Sequence, residues 1–199
     1  MSSSTEDVYE RITVAAAYCF ARSGTSGGSM EEIAAGAGLF PEELAGYYQN
    51  TQDVLYGMTA DFFMHLHMVI HTALLEDPPP HPGEVVARCV AAIANLEHAA
   101  IRLRVAMQVW GEGMRDPQLR ELFGERIDAI LTLATTLGDQ AQRAGYVDAN
   151  VPPETAARTF MSVVAGFILF GSIDDNLDYG AYEAAIRTLL TGGINAATG

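Results

Sequence analysis

The sequence predicts an all-α protein, and three observations support this fold class. Apolar residues recur at steps of three and four from Ile12 onward, which is the period of an amphipathic helix. Glycine or proline separates these helical runs from one another. Alternation of apolar and polar residues, the pattern of a half-buried strand, is almost absent. With 199 residues, of which 49% are hydrophobic, the chain is long enough to bury a substantial core.

Four helices are predicted in the first 80 residues from their end signals. Ser29 and Glu32 form a capping box at the start of the second helix. Pro41 occupies the first turn of the third helix, where a missing N–H group costs nothing. Asn50 or Thr51 caps the fourth, a long connecting helix that a proline cluster ends. The predicted ranges are about 6–22, 29–35, 42–48 and 51–75.

Five further helices are predicted in the rest of the chain. A glycine at position 145 and a proline pair at 152–153 separate two long helical patterns, and an acidic stretch at 174–178 separates the last two. The predicted ranges are about 84–98, 100–113, 117–144, 153–172 and 179–191. The larger part of the chain is therefore expected to be a helical body.

The net charge of the chain is strongly negative. All 11 cationic residues are arginines, and they face 25 aspartates and glutamates, which gives a formal net charge of −14 and a pI near 4.5. Only 18% of the residues are charged, so the composition does not indicate a disordered acidic segment. Phosphate backbones and anionic lipids repel a protein of this charge. We therefore expect neither nucleic acid nor a membrane among its partners.

The sequence favours a cytoplasmic protein. Its first residues are acidic and contain no apolar segment of the kind that secretory signals have. The longest apolar run, Phe160–Phe170, has 11 residues. Since roughly 20 are needed to cross a bilayer, this run predicts a buried helix. Cys19 and Cys89 lie in apolar helical stretches, as is typical of buried thiols in a reducing compartment.

One long segment of the chain resembles the DNA-binding segment of TetR-type regulators. This segment is Ile12–Leu55, ITVAAAYCFARSGTSGGSMEEIAAGAGLFPEELAGYYQNTQDVL. The resemblance depends on the AA…F…G of the first helix, the S-x-x-x-I-A-x-x-A-G of the second, the proline that opens the third and the aromatic pair before the fourth. Later stretches, RDPQLRELF (115–123) and AQRAGYVDANVPPETAARTF (141–160), are similar to helices of the family's ligand domain.

The resemblance implies a TetR-like fold with two parts. Residues 1–50 would form a degenerate three-helix helix-turn-helix domain, and residues 51–199 a helical ligand-binding and dimerisation domain. In this family the last two long helices pair with those of a second copy to form a four-helix interface. The predicted 153–172 helix is apolar on nearly all sides after Arg158, which suits such an interface. We therefore expect a homodimer.

The DNA-reading surface departs from the family pattern. Family members place the third helix in the major groove and grip the backbone with a lysine at the start of the fourth, a position that Thr51 occupies here. The third helix carries Glu42 and Glu43. Residues 1–60 contain two arginines and eight acids, a net charge of −6, whereas a DNA site neutralises roughly 6–10 phosphates. The sequence therefore predicts that DNA binding has been lost.

Four polar residues of the predicted body are candidate catalytic groups. His67 and His71 lie four residues apart on one helix face, a spacing that lets two imidazoles meet one substrate or one metal ion. Glu97, beside His98, and Arg102 are close enough in sequence to form a hydrogen-bonded unit for an anionic oxygen. For each of these residues, an ordinary core, solvated or ion-paired side chain is the alternative.

The remaining site candidates are apolar. The residues expected to bind a hydrophobic small molecule are Phe63, Met68, Met107, Trp110 and Phe167. No third metal ligand accompanies the histidine pair, no GxSxG sequence is present, and no glycine-rich loop follows a predicted strand. We therefore expect neither a metal nor a cofactor.

These observations favour a TetR-like protein that has become a cofactor-independent biosynthetic enzyme. Acid/base chemistry on a hydrophobic substrate, such as a cyclisation, dehydration or isomerisation, needs only positioning and one or two groups of suitable pKa. His67, His71, Glu97 and Arg102 would supply these groups. The main alternative is a ligand-responsive TetR-type repressor that binds operator DNA. A further alternative is a binding protein that sequesters a metabolite or a true repressor.

Overall fold

Residues 5–192 are described by the structure, a computed structural model, and they form nine α-helices with no strand among them. The all-α prediction is confirmed, and most predicted boundaries agree to within two residues. The helices are α1 (Thr5–Ser23), α2 (Met30–Ala37), α3 (Pro41–Leu44), α4 (Thr51–Leu74), α5 (Pro82–Ala94), α6 (Ala99–Gly113), α7 (Pro117–Arg143), α8 (Pro153–Ile173) and α9 (Tyr179–Thr191). Residues 1–4 and 193–199, which belong to the predicted domains, lie outside the described range.

Side-chain caps fix the starts of the early helices. The Ser29 hydroxyl accepts a hydrogen bond from the Glu32 N–H group at 3.2 Å, and the Asn50 side chain accepts one from the Asp53 N–H group at 2.9 Å. Each bond satisfies one of the N–H groups that a helix start leaves unpaired. Asn50, and not Thr51, is therefore the cap of α4.

α3 is shorter than predicted. It ends at Leu44, and the chain continues in turns in which the N–H groups of Tyr47 and Tyr48 both approach the Leu44 carbonyl, at 2.9 and 3.0 Å. Gly46 lies in this stretch, and glycine disfavours a helix by about 1 kcal/mol relative to alanine. The regular helical hydrogen-bond pattern does not propagate past this point.

α5 also ends earlier than predicted, at Ala94 instead of residue 98. His98 has a φ of 55°, in the left-handed region, so it cannot continue a right-handed helix. Its ring packs edge-on against Tyr18, and the Tyr18 hydroxyl lies 3.1 Å from the His98 Nδ1 atom. This contact holds the turn between α5 and α6 against α1.

The helical body packs around α4, α5 and α6. α4 contacts α5 and α7, α5 contacts α8 and α9, and α6 contacts α8 and α1. α1 also packs on α2, which carries α3. Phe20 of α1 and Phe167 of α8 are among the largest fully buried side chains. α1 is therefore the helix that joins the three-helix N-terminal part to the body through α6.

α8 is the most apolar helix. Within residues 5–192 it is the one helix that is long and apolar enough to cross a membrane, by length and composition alone. It packs on α6 and α7 through buried residues that include Val164 and Ile168. Other apolar side chains are exposed on α8 and the adjoining α9, among them Phe170 and Leu189. α8 thus combines a core face with an uncovered apolar face.

Both cysteines are buried, as the sequence predicted. The Cys19 thiol lies 3.3 Å from the Glu32 carboxylate. Burial raises the pKa of the Cys89 thiol to about 12. The Cys89 thiol is therefore protonated at neutral pH and behaves as a small apolar core residue.

We expect Gly83→Ala to destabilise the contact between α5 and α9. A Cβ atom on Gly83 would lie 2.6 Å from the Cβ atom and 3.1 Å from the backbone carbonyl carbon of Leu190. Because backbone cannot move aside as a side chain does, the free energy of unfolding should fall by about 1–3 kcal/mol in urea denaturation. The control is Gly124→Ala in α7, where nothing lies within 4 Å of the added atom; it should gain about 0.5–1 kcal/mol. A Gly83→Ala variant as stable as the original chain would contradict the close packing.

We expect His81 to make stability depend on pH. Its Nδ1 atom accepts a hydrogen bond from the Gly83 N–H group at 3.0 Å and so caps α5. Burial lowers the pKa of His81 below 6.5, so the unfolded chain takes up a proton first. The free energy of unfolding should therefore be constant above about pH 6.5 and fall as the pH drops from there toward the lower pKa of the folded state.

Urea denaturation between about pH 8 and pH 5 measures this effect. His81→Asn keeps a capping side chain that does not titrate, so its stability should fall less steeply below pH 6.5. The same substitution at an exposed position on α4, His71→Asn, is the matched control. Identical profiles for the original chain and His81→Asn would show that His81 contributes nothing to the pH dependence.

Candidate ligand-binding site and helix-turn-helix surface

Two neighbouring cavities lie in the helical body. The first cavity is narrow, with a volume of about 40 Å³, and is bounded by α1, α4, α6 and α7. The second cavity, about 350 Å³, is bounded by α4, α6, α7 and α8. Phe62, Phe63 and Trp110 line both cavities and form their common wall. The volume of the second cavity falls in the range of small-molecule sites, roughly 300–1,000 Å³, and the first cavity adjoins it at this wall.

Aromatic side chains dominate the first cavity. The Phe63 ring meets Phe62 and Phe123 edge-on, with centroids 6.2 and 5.8 Å apart. Edge-to-face pairs of this kind stabilise one arrangement of the rings. The wall is therefore a fixed apolar surface suited to a hydrophobic molecule.

The hydroxyl groups that face the first cavity are already engaged. Thr13 donates a hydrogen bond to the Tyr9 carbonyl at 2.9 Å, and Thr59 donates to the Leu55 carbonyl at 2.8 Å. Each hydroxyl has only one hydrogen, so neither can donate to a ligand without giving up its helix bond. Donation to a ligand must come from another lining group.

Among the other lining side chains the donors are the indole N–H of Trp110 and the guanidinium of Arg102. Arg102 is the charged one, and its side chain is only 6% exposed. Its guanidinium forms an ion pair with Glu10 of α1 and lies 3.8 Å from the carboxylate of Asp61 of α4. Its Nε atom is buried and has no hydrogen-bond partner among the described residues. A buried charge is tolerated only when it is paired, so these carboxylates hold Arg102 at the cavity wall.

The second cavity is more open and has fewer polar side chains in its lining. These are Arg158 and Ser162 of α8. Ser162 donates its hydroxyl hydrogen to the Arg158 carbonyl at 2.8 Å, and Arg158 is exposed. Arg102 in the first cavity is therefore the buried charged residue in the lining of the two cavities.

Two of the five predicted ligand-binding residues line the cavities. Phe63 and Trp110 belong to the common wall. Met107 is half-buried against the core, Met68 is 52% exposed, and Phe167 is fully buried between the rings of α9. These three residues do not line either cavity. Trp110 is the only tryptophan in the sequence, so its fluorescence reports on this wall.

The predicted catalytic residues are not brought together. The rings of His67 and His71 stack on each other, 6.1 Å apart and nearly parallel, and neither lines the two cavities. Glu97 is exposed and lies 3.5 Å from its neighbour His98. Arg102 pairs with α1 and α4 instead of with these residues.

Glu10 and Asp61 are the site residues that sequence reasoning did not assign. Glu10 is three residues before Thr13, so both lie on the face of α1 that turns toward α6. An acidic side chain on the buried face of a helix, together with an arginine inside an apolar helix, is the signal that could have suggested the pair. No sequence pattern specifies that the two helices meet.

Both arginines of the helix-turn-helix segment, residues 5–53, make internal contacts. Arg11 donates from its Nε atom to the Ala37 carbonyl at 2.8 Å, at the end of α2. Arg22 pairs with Glu32 at 2.9 Å, through side chains that are largely exposed. These cations stabilise the packing of α1 on α2.

Several acids of the same segment are engaged as well. The Glu43 carboxylate accepts a hydrogen bond from the Phe40 N–H group at 2.7 Å, at the start of α3. The Asp53 carboxylate accepts one from the Gln49 N–H group at 3.1 Å. Glu10 and Glu32 pair with arginines, so at least four of the eight acids in residues 1–60 have a cationic or N–H partner. The formal charge of −6 therefore overstates the free negative charge on this surface.

These features define a class of protein: a helical ligand-binding body joined through α1 to a helix-turn-helix segment. A family model described as the C-terminal part of BetI-type transcriptional repressors matches residues 73–194. The match covers more than half of the chain. The chain belongs to the TetR-type transcriptional regulators with a BetI-type C-terminal domain.

Solved structures agree with this fold. The fatty acid degradation regulator FadR from Bacillus halodurans is 20% identical, with 98% of each chain covered and a TM-score of 0.72. FadR from Bacillus subtilis, solved in complex with stearoyl-CoA, is 18% identical, with 93% of this chain and 98% of that chain covered and a TM-score of 0.70. Salmonella enterica GusR is 22% identical over 96% of each chain, with a TM-score of 0.69. No curated protein sequence matches the chain.

The prediction of a biosynthetic enzyme without DNA binding is wrong. The matching family model describes transcriptional repressors, and the similar structures named above carry the names of regulators. Nothing in these comparisons supports a cyclase, dehydratase or isomerase, nor the expectation that nucleic acid is excluded as a partner. The charge count treated every acid as free, whereas the carboxylates of Glu43 and Asp53 accept backbone hydrogen bonds at the starts of α3 and α4.

We expect Ala165→Phe to block the second cavity. Ala165 lines this cavity on α8, and a phenyl ring there would fill the space in front of the aromatic wall. The neutral dye Nile red, titrated while its fluorescence is followed, should bind at least tenfold more weakly to the variant. The control Ala144→Phe, at the exposed end of α7, should bind the dye like the original chain. Equal affinity in the two variants would mean that the dye does not use this cavity.

Proposed function

We propose that the chain is a ligand-responsive transcriptional repressor that binds operator DNA as a homodimer and releases it when a hydrophobic small molecule enters the cavities. In this proposal residues 1–50 read DNA, and residues 51–199 bind the ligand and dimerise. The protein acts in the cytoplasm. The family model, which describes transcriptional repressors, supports this proposal.

The observation that carries the proposal is the position of Thr13. This residue of α1 lines the first cavity together with residues of α4 and α6. α1 also packs on α2, and α2 carries α3. A ligand in the first cavity therefore touches the helix that supports the DNA-reading part, so occupancy and DNA binding are coupled without a long chain of intermediate contacts.

The lining chemistry supports an apolar ligand. Phe62, Phe63 and Trp110 give both cavities an aromatic wall. The similar FadR structure from Bacillus subtilis was solved with stearoyl-CoA, a molecule with a long apolar chain. Burial of apolar surface, at roughly 25 cal/mol per Å², is the main source of affinity for such ligands.

The uncovered apolar face of α8 and α9 supports a homodimer. Leu169, Phe170 and Ile173, close together on α8, are 41%, 51% and 69% exposed, and Leu189 of α9 is 76% exposed. Soluble proteins rarely leave a cluster of large apolar side chains such as the one on α8 in water. A second copy of the same face would cover them, and it would place two helix-turn-helix segments on one duplex.

The DNA contacts of this repressor would be mainly uncharged. The segment after α3 and the first turn of α4 expose amide and phenol groups, including Tyr47, Gln49 and Gln52. Such groups donate hydrogen bonds to phosphate oxygens without releasing many counterions. Arg11 and Arg22 already make internal contacts. Affinity for operator DNA should therefore depend only weakly on salt.

Gel-shift titrations with DNA flanking the gene of the protein test the proposal, together with duplexes selected from a random library. We expect sequence-specific binding. In a plot of the logarithm of the binding constant against the logarithm of the salt concentration, the slope should be no steeper than about −4. This limit follows from two arginines per subunit in residues 1–60, four per dimer, since each neutralised phosphate contributes about −0.9.

A matched pair of variants locates the interface. Gln52 and Gln118 are both exposed second residues of a helix, α4 and α7 respectively. Gln52→Ala should weaken operator binding about thirtyfold, the effect of two lost neutral hydrogen bonds, one per subunit, of about 1 kcal/mol each, while Gln118→Ala should leave it unchanged. If no sequence binds even at about 50 mM salt, the repressor proposal fails.

A further inference from the structure

Arg102 is built into the first cavity in an unusual way. Its side chain is 94% buried, since only 6% is exposed, although it carries a full positive charge. It lines the cavity among aromatic and aliphatic residues. Its buried Nε atom has no hydrogen-bond partner among residues 5–192. A charged group with an unused donor at a cavity wall is a recognition element for an oxygen acceptor.

The partners of Arg102 differ from it in burial. The side chains of Glu10 and Asp61 are 42% and 44% exposed. Glu10 makes the direct contact with the guanidinium, while the Asp61 carboxylate stays 3.8 Å away. Because Glu10 already reaches solvent, it can turn into water without being left as a buried unpaired charge. Arg102 has no comparable route out of the protein.

We propose that the ligand is an apolar molecule with a terminal carboxylate, and that this carboxylate replaces Glu10 on Arg102. This inference rests on the proposed function and specifies its ligand class and its trigger. The apolar body of the ligand lies against the common wall of Phe62, Phe63 and Trp110. Its carboxylate forms a charge-assisted pair with the guanidinium, including the Nε–H donor that is unused in the free protein.

Charge balance explains why the two carboxylates exchange. One guanidinium already faces two acidic side chains, so a third carboxylate cannot be added without uncompensated negative charge in a cavity of low dielectric. The ligand carboxylate therefore takes the position of Glu10, the acid in direct contact with the guanidinium, and Glu10 turns into solvent. Arg102 keeps a cationic ligand away from this wall, and a neutral alcohol satisfies the Nε–H donor without displacing Glu10.

The exchange transmits ligand binding to α1. The ion pair between Glu10 and Arg102 joins α1 to α6, next to the contact of Thr13 with the cavity. When the ligand takes Arg102, this tie between the helix-turn-helix segment and the body is lost. α1 and the α2 helix packed on it are then free to move relative to the body, which lowers the affinity for DNA.

Three probes with the same chain length test the ligand class: decanoate, 1-decanol and decyltrimethylammonium, each below its aggregation concentration at about pH 7.5. Trp110 fluorescence follows their binding, since this single tryptophan lines both cavities. We expect decanoate to bind at least tenfold more tightly than either of the other two. Equal or weaker binding of decanoate would overturn the inference.

Three variants test the exchange. Arg102→Met, which keeps an unbranched apolar stem and removes the charge, should remove the preference for decanoate over 1-decanol. Glu10→Gln should raise decanoate affinity threefold or more, because the competing carboxylate is gone. A merely structural role of Glu10 would leave that affinity unchanged or lower it. The control is Arg104→Met, on the same helix as Arg102. It removes the ion pair between Arg104 and Asp175 and should change neither the decanoate affinity nor the preference over 1-decanol.

Far-ultraviolet circular dichroism establishes that each variant is folded. If Arg102→Met does not fold, the Glu10→Gln variant alone tests the exchange. The inference then requires that Glu10→Gln bind decanoate more tightly than the original chain. Operator binding by the original chain separates this inference from the proposed function. Specific DNA binding without a preference for decanoate would support the repressor proposal and contradict the carboxylate exchange. A decanoate preference that depends on Arg102, without any DNA binding, would support the ligand site and contradict the repressor proposal.

Discussion

The charge of Arg102, held almost entirely out of water, is the constraint on which the arrangement of this protein depends. A guanidinium that is 6% exposed requires carboxylates nearby, and they come from two other helices, Glu10 of α1 and Asp61 of α4. This requirement ties the N-terminal helix to the body, because Arg102 is the one cation in the lining of the first cavity among residues 5–192. The polar junction lies beside an aromatic wall, so the first cavity has one polar end and one apolar side.

The acidity of the chain has a different meaning once the contacts are known. In the helix-turn-helix segment Glu43 and Asp53 cap helix starts, and Glu32 pairs with Arg22. These acids stabilise the short helices that a DNA-reading segment needs, so the negative charge is partly structural. The arginines are similarly committed, which leaves hydrogen-bonding groups and helix ends as the contacts available to DNA. A formal charge of −14 is therefore compatible with a regulator whose DNA contacts are mainly uncharged groups.

Much of the fold was predictable because its signals are local. Helical period, caps and prolines gave all nine helices in the described range, and the boundaries were wrong only at α3 and α5. There, Gly46 and the left-handed backbone of His98 ended helices that the apolar pattern alone would have continued. Phe63 and Trp110 were predictable as wall residues, since large aromatic residues on the apolar faces of adjacent helices meet in the interior. Met68 and Phe167 are also large apolar residues of predicted helices, but the Met68 side chain is exposed and Phe167 is buried away from the two cavities.

The sequence by itself determined the class of fold, the helix order and the apolar character of α8, because each depends on neighbours a few residues apart. It also determined that two histidines would share a face of α4, which the stacked rings of His67 and His71 display. Only the tertiary structure decided which polar groups meet. Glu10 and Arg102 are 92 residues apart, and the pairing of a buried charge is a property of the packed helices. Because residues so far apart in the sequence cannot be paired without the structure, the acids were counted as free charges, and this favoured an enzyme over a DNA-binding regulator.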